Sequence, residues 1–146
     1  MSLRFHFASL SMDAAVDQQT GSLSVFDVIE EIRTPIVPFT LQSLVLAVTV
    51  EKTIPTRFVG KLHIQLITPD EKTASVGYID VQIPAEQKRM RSLFRFDDFP
   101  IQSFGPHRIV LIWLQGPSAS GPASGQSNSE TKIGESVLNF DVIQVT

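Results

Sequence analysis

The chain has 146 residues, a formal net charge of −3, 42% hydrophobic residues and no cysteine. This is the length of one ordinary domain, and folding buries about 68–70% of the surface of such a chain, so its core needs no metal or disulfide. The lack of cysteine excludes disulfide scaffolds, thiol nucleophiles and cysteine zinc sites, and the negative charge argues against general binding to nucleic acid or anionic membranes. We find no signal-peptide pattern and no apolar run long enough to span a membrane, and we expect a cytoplasmic protein.

Apolar and polar residues alternate in eight short segments, whereas helical periodicity is scarce. In chain order the segments are LRFHFASL (3–10), GSLSVFDVIEEI (21–32), QSLVLAVTVE (42–51), GKLHIQLIT (60–68), VGYIDVQIP (76–84), SLFRFDDF (92–99), HRIVLIWLQ (107–115) and SVLNFDVIQV (136–145). Runs of period two that are rich in Val, Ile and Phe are typical of β-strands. The second segment changes phase between Val25 and Phe26, which predicts a bend or bulge.

The breaks between the segments carry turn residues. DQQTG (17–21) and TPDEKT (68–73) have the composition of short turns. RTPIVPF (33–39) contains two prolines and is predicted to cross between sheets or to form an edge. PAEQKRM (84–90) is the one plausible helical turn. Short strands joined by turns predict an all-β, immunoglobulin-like antiparallel sandwich of about eight strands, with residues 1–146 forming a single domain.

A segment of low complexity, GPSASGPASGQSNSE, occupies residues 116–130. Only one strand follows it, and one strand cannot bury its own apolar face, so the segment is not a linker to a second domain. We predict that it is a long hairpin loop between the last two strands, mobile on the nanosecond to microsecond timescale. Deletion of 118–127 is then expected to leave the melting temperature nearly unchanged, because loop-closure entropy depends weakly on length.

Two stretches carry a resemblance to known proteins. SFGPHRIVLIWLQG…SVLNFDVIQV resembles the last two strands of many bacterial immunoglobulin-like modules, with His107 where Tyr is usual. The N-terminal stretch from FASLSMD to TPIVPF is similar to the start of a family of uncharacterised bacterial sandwich proteins. The resemblance implies an immunoglobulin-like fold, and it implies no reaction, ligand or catalytic residue.

Residues with catalytic chemistry form no recognisable motif. His6, His63 and His107 fall on three different strands without zinc-site spacing, and we expect solvent-facing or edge residues. The sequence contains no nucleophile elbow, P-loop or dinucleotide-binding glycine motif. We therefore predict that the protein is not an enzyme and has no metal site and no cofactor.

Two charged clusters leave alternative functions open. A calcium-binding module would use loop carboxylates, for which the candidates are Asp13, Asp17, Asp27, Glu30, Glu31, Asp97 and Asp98. A basic cluster of Lys88, Arg89, Arg91 and Arg95 interleaves with Phe94 and Phe96, as for single-stranded nucleic acid or an acidic partner. The interpretation that we favour places both phenylalanines in the core and the arginines outside.

Apolar residues on both faces of a strand are the most informative feature. Val110, Ile112 and Leu114 alternate with Ile109, Leu111 and Trp113, and LVLAV around Val45 shows the same pattern. One set faces the core, and the other needs a cover, because a large bare apolar patch marks an interface. The cover could be the proline segment, a packed loop, an apolar ligand or another protein. We hypothesise a non-catalytic interaction or scaffold module that binds a second copy or another protein through an apolar sheet face or edge, with Val110, Ile112, Leu114 and Val45 as the candidate interface.

Overall fold

A computed structural model describes residues 3–116 and 131–146, and within these ranges the chain is all-β. The strands are β1 (Leu3–Val16), β2 (Leu23–Val28), β3 (Glu31–Thr34), β4 (Phe39–Lys52), β5 (Phe58–Ile67), β6 (Thr73–Ile83), β7 (Arg89–Ile101), β8 (Gly105–Gln115) and β9 (Thr131–Gln144). The predicted helical turn at 84–90 is wrong, because Gln87 N–H donates to the Pro84 carbonyl at 3.1 Å in a tight turn. No helix in the described ranges is long and apolar enough to cross a membrane.

The strands form two sheets. Sheet A has the order β2-β1-β4-β7, and sheet B has the order β3-β9-β8-β5-β6. Neighbouring strands run antiparallel except β3, which pairs parallel to β9 from Glu31↔Asp141 to Thr34↔Gln144. The expectation of a purely antiparallel sandwich is therefore wrong at this edge, where a four-residue strand interrupts the path between two strands of sheet A.

The chain changes sheets twice in the N-terminal half. β2 lies in sheet A and β3 in sheet B, and the chain crosses between them at residues 29–30. The bend predicted between Val25 and Phe26 is not there, because the pairing of β2 with β1 runs through these two residues without a shift in register. The proline segment 35–38 then returns the chain to β4 in sheet A, which confirms the predicted crossing. An X-Pro sequence suits this role, because proline has no N–H to donate to a strand ladder.

The core lies between the inner faces of the two sheets. Trp113 on β8 is buried at its centre, with the rings of Phe5 and Phe58 6.2 and 6.3 Å from it. Leu46 of sheet A and Leu62 of sheet B are also fully buried. The central strands β4 and β8 supply alternate residues to this layer, as the period of two requires.

The last two strands form the predicted hairpin. β8 and β9 pair antiparallel from Gly105↔Val142 to Gln115↔Thr131. The strand behind the low-complexity segment thus packs on the same core as the strand before it. The predicted mobility of 116–130 and the effect of deleting 118–127 concern residues outside the described ranges.

Candidate functional site

The outer face of sheet A carries small residues that are buried although they point away from the core. Leu44, Leu46 and Val48 of β4 face the core, so Val45 and Ala47 between them face outward. Both are 0% exposed. Ser9 and Ser11 of β1, which pair with Ala47 and Val45, are buried as well. A further layer must therefore cover this face.

The cover is the β1–β2 hairpin, residues 12–28, which folds back over sheet A. In the register of the sheet, Phe7, Thr49 and Arg91 lie side by side. If β1 ran straight on, Asp17 would lie about 33 Å beyond Phe7, at about 3.3 Å per residue. Instead, Arg91 Nη1 donates to the Gly21 carbonyl at the hairpin tip at 2.6 Å. The hairpin therefore reverses direction and lies across the sheet.

Two hydrogen bonds hold the bend, and a second arginine clamps the hairpin. Ser43 Oγ donates to the Met12 carbonyl at 3.1 Å, and Ser11 Oγ donates to the Asp13 carbonyl at 2.9 Å. Arg95 Nη2 lies 2.9 Å from Asp13 Oδ1 and 3.0 Å from the Ala14 carbonyl. The Ala14 N–H, and secondarily Arg95, lower the pKa of Asp13.

The outer face of sheet B is apolar and carries no such layer within the described residues. Because Ile109, Leu111 and Trp113 belong to the core, the alternate residues of β8 point outward. These are Val110, which its neighbours bury, and Ile112 and Leu114, which are half-buried. We call the stripe formed by Val110, Ile112 and Leu114, with Tyr78 of β6 and Val137 of β9, the bare face. Tyr78 and Val137 are exposed, at 59% and 43%.

A histidine contributes to the bare face. His63 lies between Tyr78 and Ile112 in the register of sheet B. Its ring stacks on the Tyr78 ring, with centroids 4.0 Å apart, and its Nε2 is 3.2 Å from Ser75 Oγ. The prediction of a solvent-facing His63 is therefore wrong, because the tyrosine covers the imidazole.

The structure separates the four residues predicted as an interface. Val110, Ile112 and Leu114 share the bare face, whereas Val45 lies on sheet A under the hairpin. Val45 has no exposed side-chain surface to offer a partner. Sequence alone could not distinguish these positions, because both strands show apolar residues on both faces.

The basic cluster is largely paired within the chain. Phe94 and Phe96 pack against the core, as predicted. Arg89 Nε lies 2.8 Å from Glu51 Oε2, and Lys88 Nζ lies 3.9 Å from Glu51 Oε1. Arg95 pairs with Asp13. The cluster thus offers no continuous row of unpaired cations, which removes the main support for the nucleic-acid interpretation.

Glu51 is the centre of this ionic network. Its carboxylate is 5% exposed and also accepts a bond from Arg4 Nη2 at 2.5 Å. The hydrogen bonds from Arg89 and then Arg4 lower the pKa of Glu51 to about 2, with Lys88 adding to the attraction. The network ties the start of β1 to β4 and β7.

A cleft of about 630 Å³ opens between the hairpin tip and sheet A. Its lining combines two arginines with a histidine, two hydroxyls and two apolar side chains: Arg89, Arg91, His6, Ser22, Thr49, Phe7 and Leu23. His6 is exposed, as predicted. The cleft could not be predicted from the sequence, because residues 22 and 91 meet only through the reversal of the hairpin.

The carboxylates proposed for calcium do not converge. Asp13 pairs with Arg95, and Asp17 caps its own turn by accepting from Gln19 and Thr20 N–H at 2.8 and 2.9 Å. These bonds, from Thr20 first, lower the pKa of Asp17. No group of three or more metal-ligating side chains occurs among the residues that the structure describes.

Two further polar residues are buried for structural reasons. His107 stacks on Phe140, with ring centroids 5.0 Å apart, and its Nδ1 is 2.9 Å from the Gly105 carbonyl. The expectation of a surface histidine is wrong here too. Lys52 Nζ donates to the carbonyls of Thr56, Pro84 and Ala85 at 2.9, 2.6 and 3.1 Å, and thereby fixes two turns.

The fold and these surfaces define a class: an all-β domain of two sheets, with one outer face covered by its own hairpin and the other left uncovered by the residues that the structure describes. The profile of a family of unknown function, DUF6941, matches residues 7–113. The chain belongs to this family. No curated protein matches it.

Solved structures that resemble the chain include parts of bacterial β-glucosidases. The enzyme from Listeria innocua in complex with glucose is 12% identical with a TM-score of 0.47, over 93% of this chain and 16% of that one. The same enzyme without the sugar is 13% identical with a TM-score of 0.47, over 96% and 16%. DesR, a β-glucosidase from Streptomyces venezuelae, is 17% identical with a TM-score of 0.38, over 73% and 14%. The chain thus spans about a sixth of these enzymes, and likeness this low carries no information about its activity.

Proposed function

We propose that this domain is a non-catalytic interaction module that binds a second copy of itself through the bare face. The observation that carries the proposal is the contrast between the two outer faces. The apolar residues of sheet A are covered by the chain's own hairpin, while Ile112, Leu114, Tyr78 and Val137 keep exposed or half-exposed side chains. Burying them against a partner removes apolar surface from water, which favours association.

The charges that flank the stripe suit a second copy. Lys61 of β5 lies beside Leu114 on one side, and Glu135 of β9 lies beside Ile112 on the other. A two-fold axis parallel to β8 places the β5 side of one copy over the β9 side of its partner. This arrangement keeps the two copies of Lys61 apart and brings each near Glu135 of the partner, whose carboxylate already pairs with Lys132 of its own chain.

The size of the face predicts a weak dimer. Four strands at about 4.8 Å spacing and the five residues of β8 from Val110 to Leu114, at about 3.3 Å each, cover roughly 300 Å². A standard stable interface buries about 800 Å² per partner, so we expect association only at high protein concentration. Weak association suits a module that assembles when its local concentration rises.

The β7 edge of sheet A suits association less well than the bare face. β7 is an edge strand of sheet A, and it carries Arg89, Arg91, Arg95 and Pro100. Charged residues and proline are the devices by which edge strands discourage pairing with another chain. We therefore favour the face over the edge.

We also propose that the sandwich is immunoglobulin-like. In immunoglobulin domains strand B pairs with E, and C, F and G lie in this order in the other sheet. Here β4 pairs with β7, and β5, β8 and β9 lie in the corresponding order, with β6 beside β5. The β1–β2 hairpin is an addition to that plan.

Sedimentation velocity over a range of concentrations tests the dimer. We expect the wild type to shift from monomer toward dimer as concentration rises, and Ile112→Arg to remain monomeric because it places two cations in the interface. Ile36→Arg is the matched control, since Ile36 is 67% exposed and lies off the bare face. A wild type that stays monomeric at every concentration, or a control that abolishes association equally, contradicts the proposal.

A further inference from the structure

We propose that the cleft between the hairpin tip and sheet A binds a small organic oxyanion, a phosphate monoester or a carboxylate, attached to an apolar group. The cleft holds about 630 Å³, within the range of small-molecule sites, and its lining combines polar and apolar groups. The inference is independent of self-association through the bare face, which lies on the other sheet.

The local charge of the cleft opposes that of the whole chain. Arg89 and Arg91 line it, Glu51 pairs with Arg89, and Arg4 and Lys88 pair with Glu51. Four cations against one carboxylate leave a local charge of +3, in a protein whose net charge is −3. A positive cleft on an acidic protein attracts anions selectively to this site.

Both arginines are held in place before any ligand binds. Arg91 Nη1 donates to the Gly21 carbonyl, which uses one of its five donors, and Arg89 Nε is fixed by Glu51. The remaining guanidinium donors are available for bidentate bonds to a phosphate or carboxylate. Thr49 and Ser22 add hydroxyls to the same lining. Prior fixation lowers the entropy lost on binding.

The apolar side chains that line the cleft determine which chemical group the rest of the ligand carries. Phe7 is 40% exposed although it stands beside a well-covered sheet face, and Leu23 of the hairpin is half-buried. An aromatic or aliphatic group of the ligand buries this surface. A polynucleotide fits less well, because it needs an extended groove with successive stacking platforms, and Arg95 further along β7 is already clamped to Asp13.

The test titrates the full chain with phenyl phosphate, benzoate and inorganic phosphate and follows the backbone amides by NMR. We expect saturable shifts at His6, Phe7, Thr49 and Arg91 with phenyl phosphate or benzoate, and binding about tenfold weaker for inorganic phosphate, which lacks the apolar group. Tighter binding of phenyl phosphate identifies a phosphate monoester as the ligand class, and tighter binding of benzoate identifies a carboxylate.

Substitutions at Arg91 distinguish binding at a defined site from general attraction of anions by surface charge. Arg91→Gln is expected to weaken binding about tenfold, and Arg91→Lys, which keeps the charge and a donor for the Gly21 carbonyl, by about threefold. Arg57→Gln makes the same change of charge at an exposed arginine outside the cleft and should bind like the wild type. Absence of saturable shifts, equal affinity for inorganic phosphate, or equal weakening by Arg57→Gln overturns the proposal.

Discussion

The outer faces of the two sheets start from similar sequence and end in different environments. LVLAV in β4 and IVLIWL in β8 both place apolar residues on each side of the strand. On sheet A the outward set is closed over by the β1–β2 hairpin, and on sheet B it lies at the surface of the described chain. Apolarity on both faces therefore predicts that a cover is required, but it does not say whether the chain or a partner supplies it.

Side-chain size explains why the hairpin lies on sheet A. Ser9, Ser11 and Ala47 have small side chains, so a second layer can pack close to this face. The bare face instead projects Ile112 and Tyr78. Sheets pack about 10 Å apart, so small residues on one layer allow close approach of the next.

The largest expected effect comes from placing the same substitution on the two faces. Val45→Arg buries an unpaired charge beneath the hairpin and should lower the free energy of unfolding by about 3 kcal/mol or more. Ile112→Arg has access to solvent and should cost about 1 kcal/mol or less. Urea unfolding of both variants measures the difference. Equal losses would show that the two faces are equally covered.

A smaller but still large effect is expected at Gly60, where β5 passes close to β8. A Cβ there collides with the Leu114 carbonyl and the Phe58 ring, whereas at Gly77 of β6 a Cβ meets nothing within 4 Å. Gly60→Ala should therefore destabilise the protein by about 1–3 kcal/mol through overpacking, and Gly77→Ala should change stability little. Thermal unfolding of the pair checks this. A neutral Gly60→Ala would mean that β8 and the bare face shift without cost.

The ionic network around Glu51 predicts that the protein loses folding stability over a defined range of acid pH. The pKa of Glu51 is about 2 in the folded protein and about 4.3 in an unfolded chain. A depressed pKa stabilises the fold above the unfolded value, and that contribution is lost as the pH falls toward 2. Glu51→Gln should be less stable than the wild type at pH 7, with a gap that narrows below about pH 4.5.

Unfolding by urea between pH 7 and pH 2.5 measures this gap. Glu86→Gln, at an exposed turn, removes the same charge outside the network and serves as the control. A gap between Glu51→Gln and wild type that stays constant over this range would show that the arginines do not stabilise the carboxylate.

The smallest effect concerns the clamp on the hairpin. Arg95→Gln removes the ion pair to Asp13, which is largely exposed, so global stability should change little. Hydrogen exchange at 13–16 and 23–25 should nevertheless accelerate about fivefold, while amides of β8 remain unchanged. Arg33→Gln, whose partner is Glu31 on another edge, controls for loss of charge. Unaltered exchange in the hairpin would mean that the bend alone holds the cover.

Strand positions were predictable from the sequence because alternation is a local property. The period of two located the strands, and Pro35 and Pro38 marked the crossing between sheets. The parallel strand β3 escaped prediction because its four residues straddle the end of an alternating run and the start of the proline segment. His63 and His107 were misplaced because the rings that cover them, Tyr78 and Phe140, come from other strands.

By itself, the sequence determined an all-β fold and the need for a cover on its doubly apolar strands, since both follow from residue type and spacing. Only the tertiary structure decided that residues 12–28 fold back to cover Val45, that no other described segment covers the outward stripe of β8, and that Arg91 meets the hairpin tip. These features join residues up to 70 positions apart. The period-two pattern of a strand does not depend on which layer covers it, so only tertiary packing determines what covers each outer face.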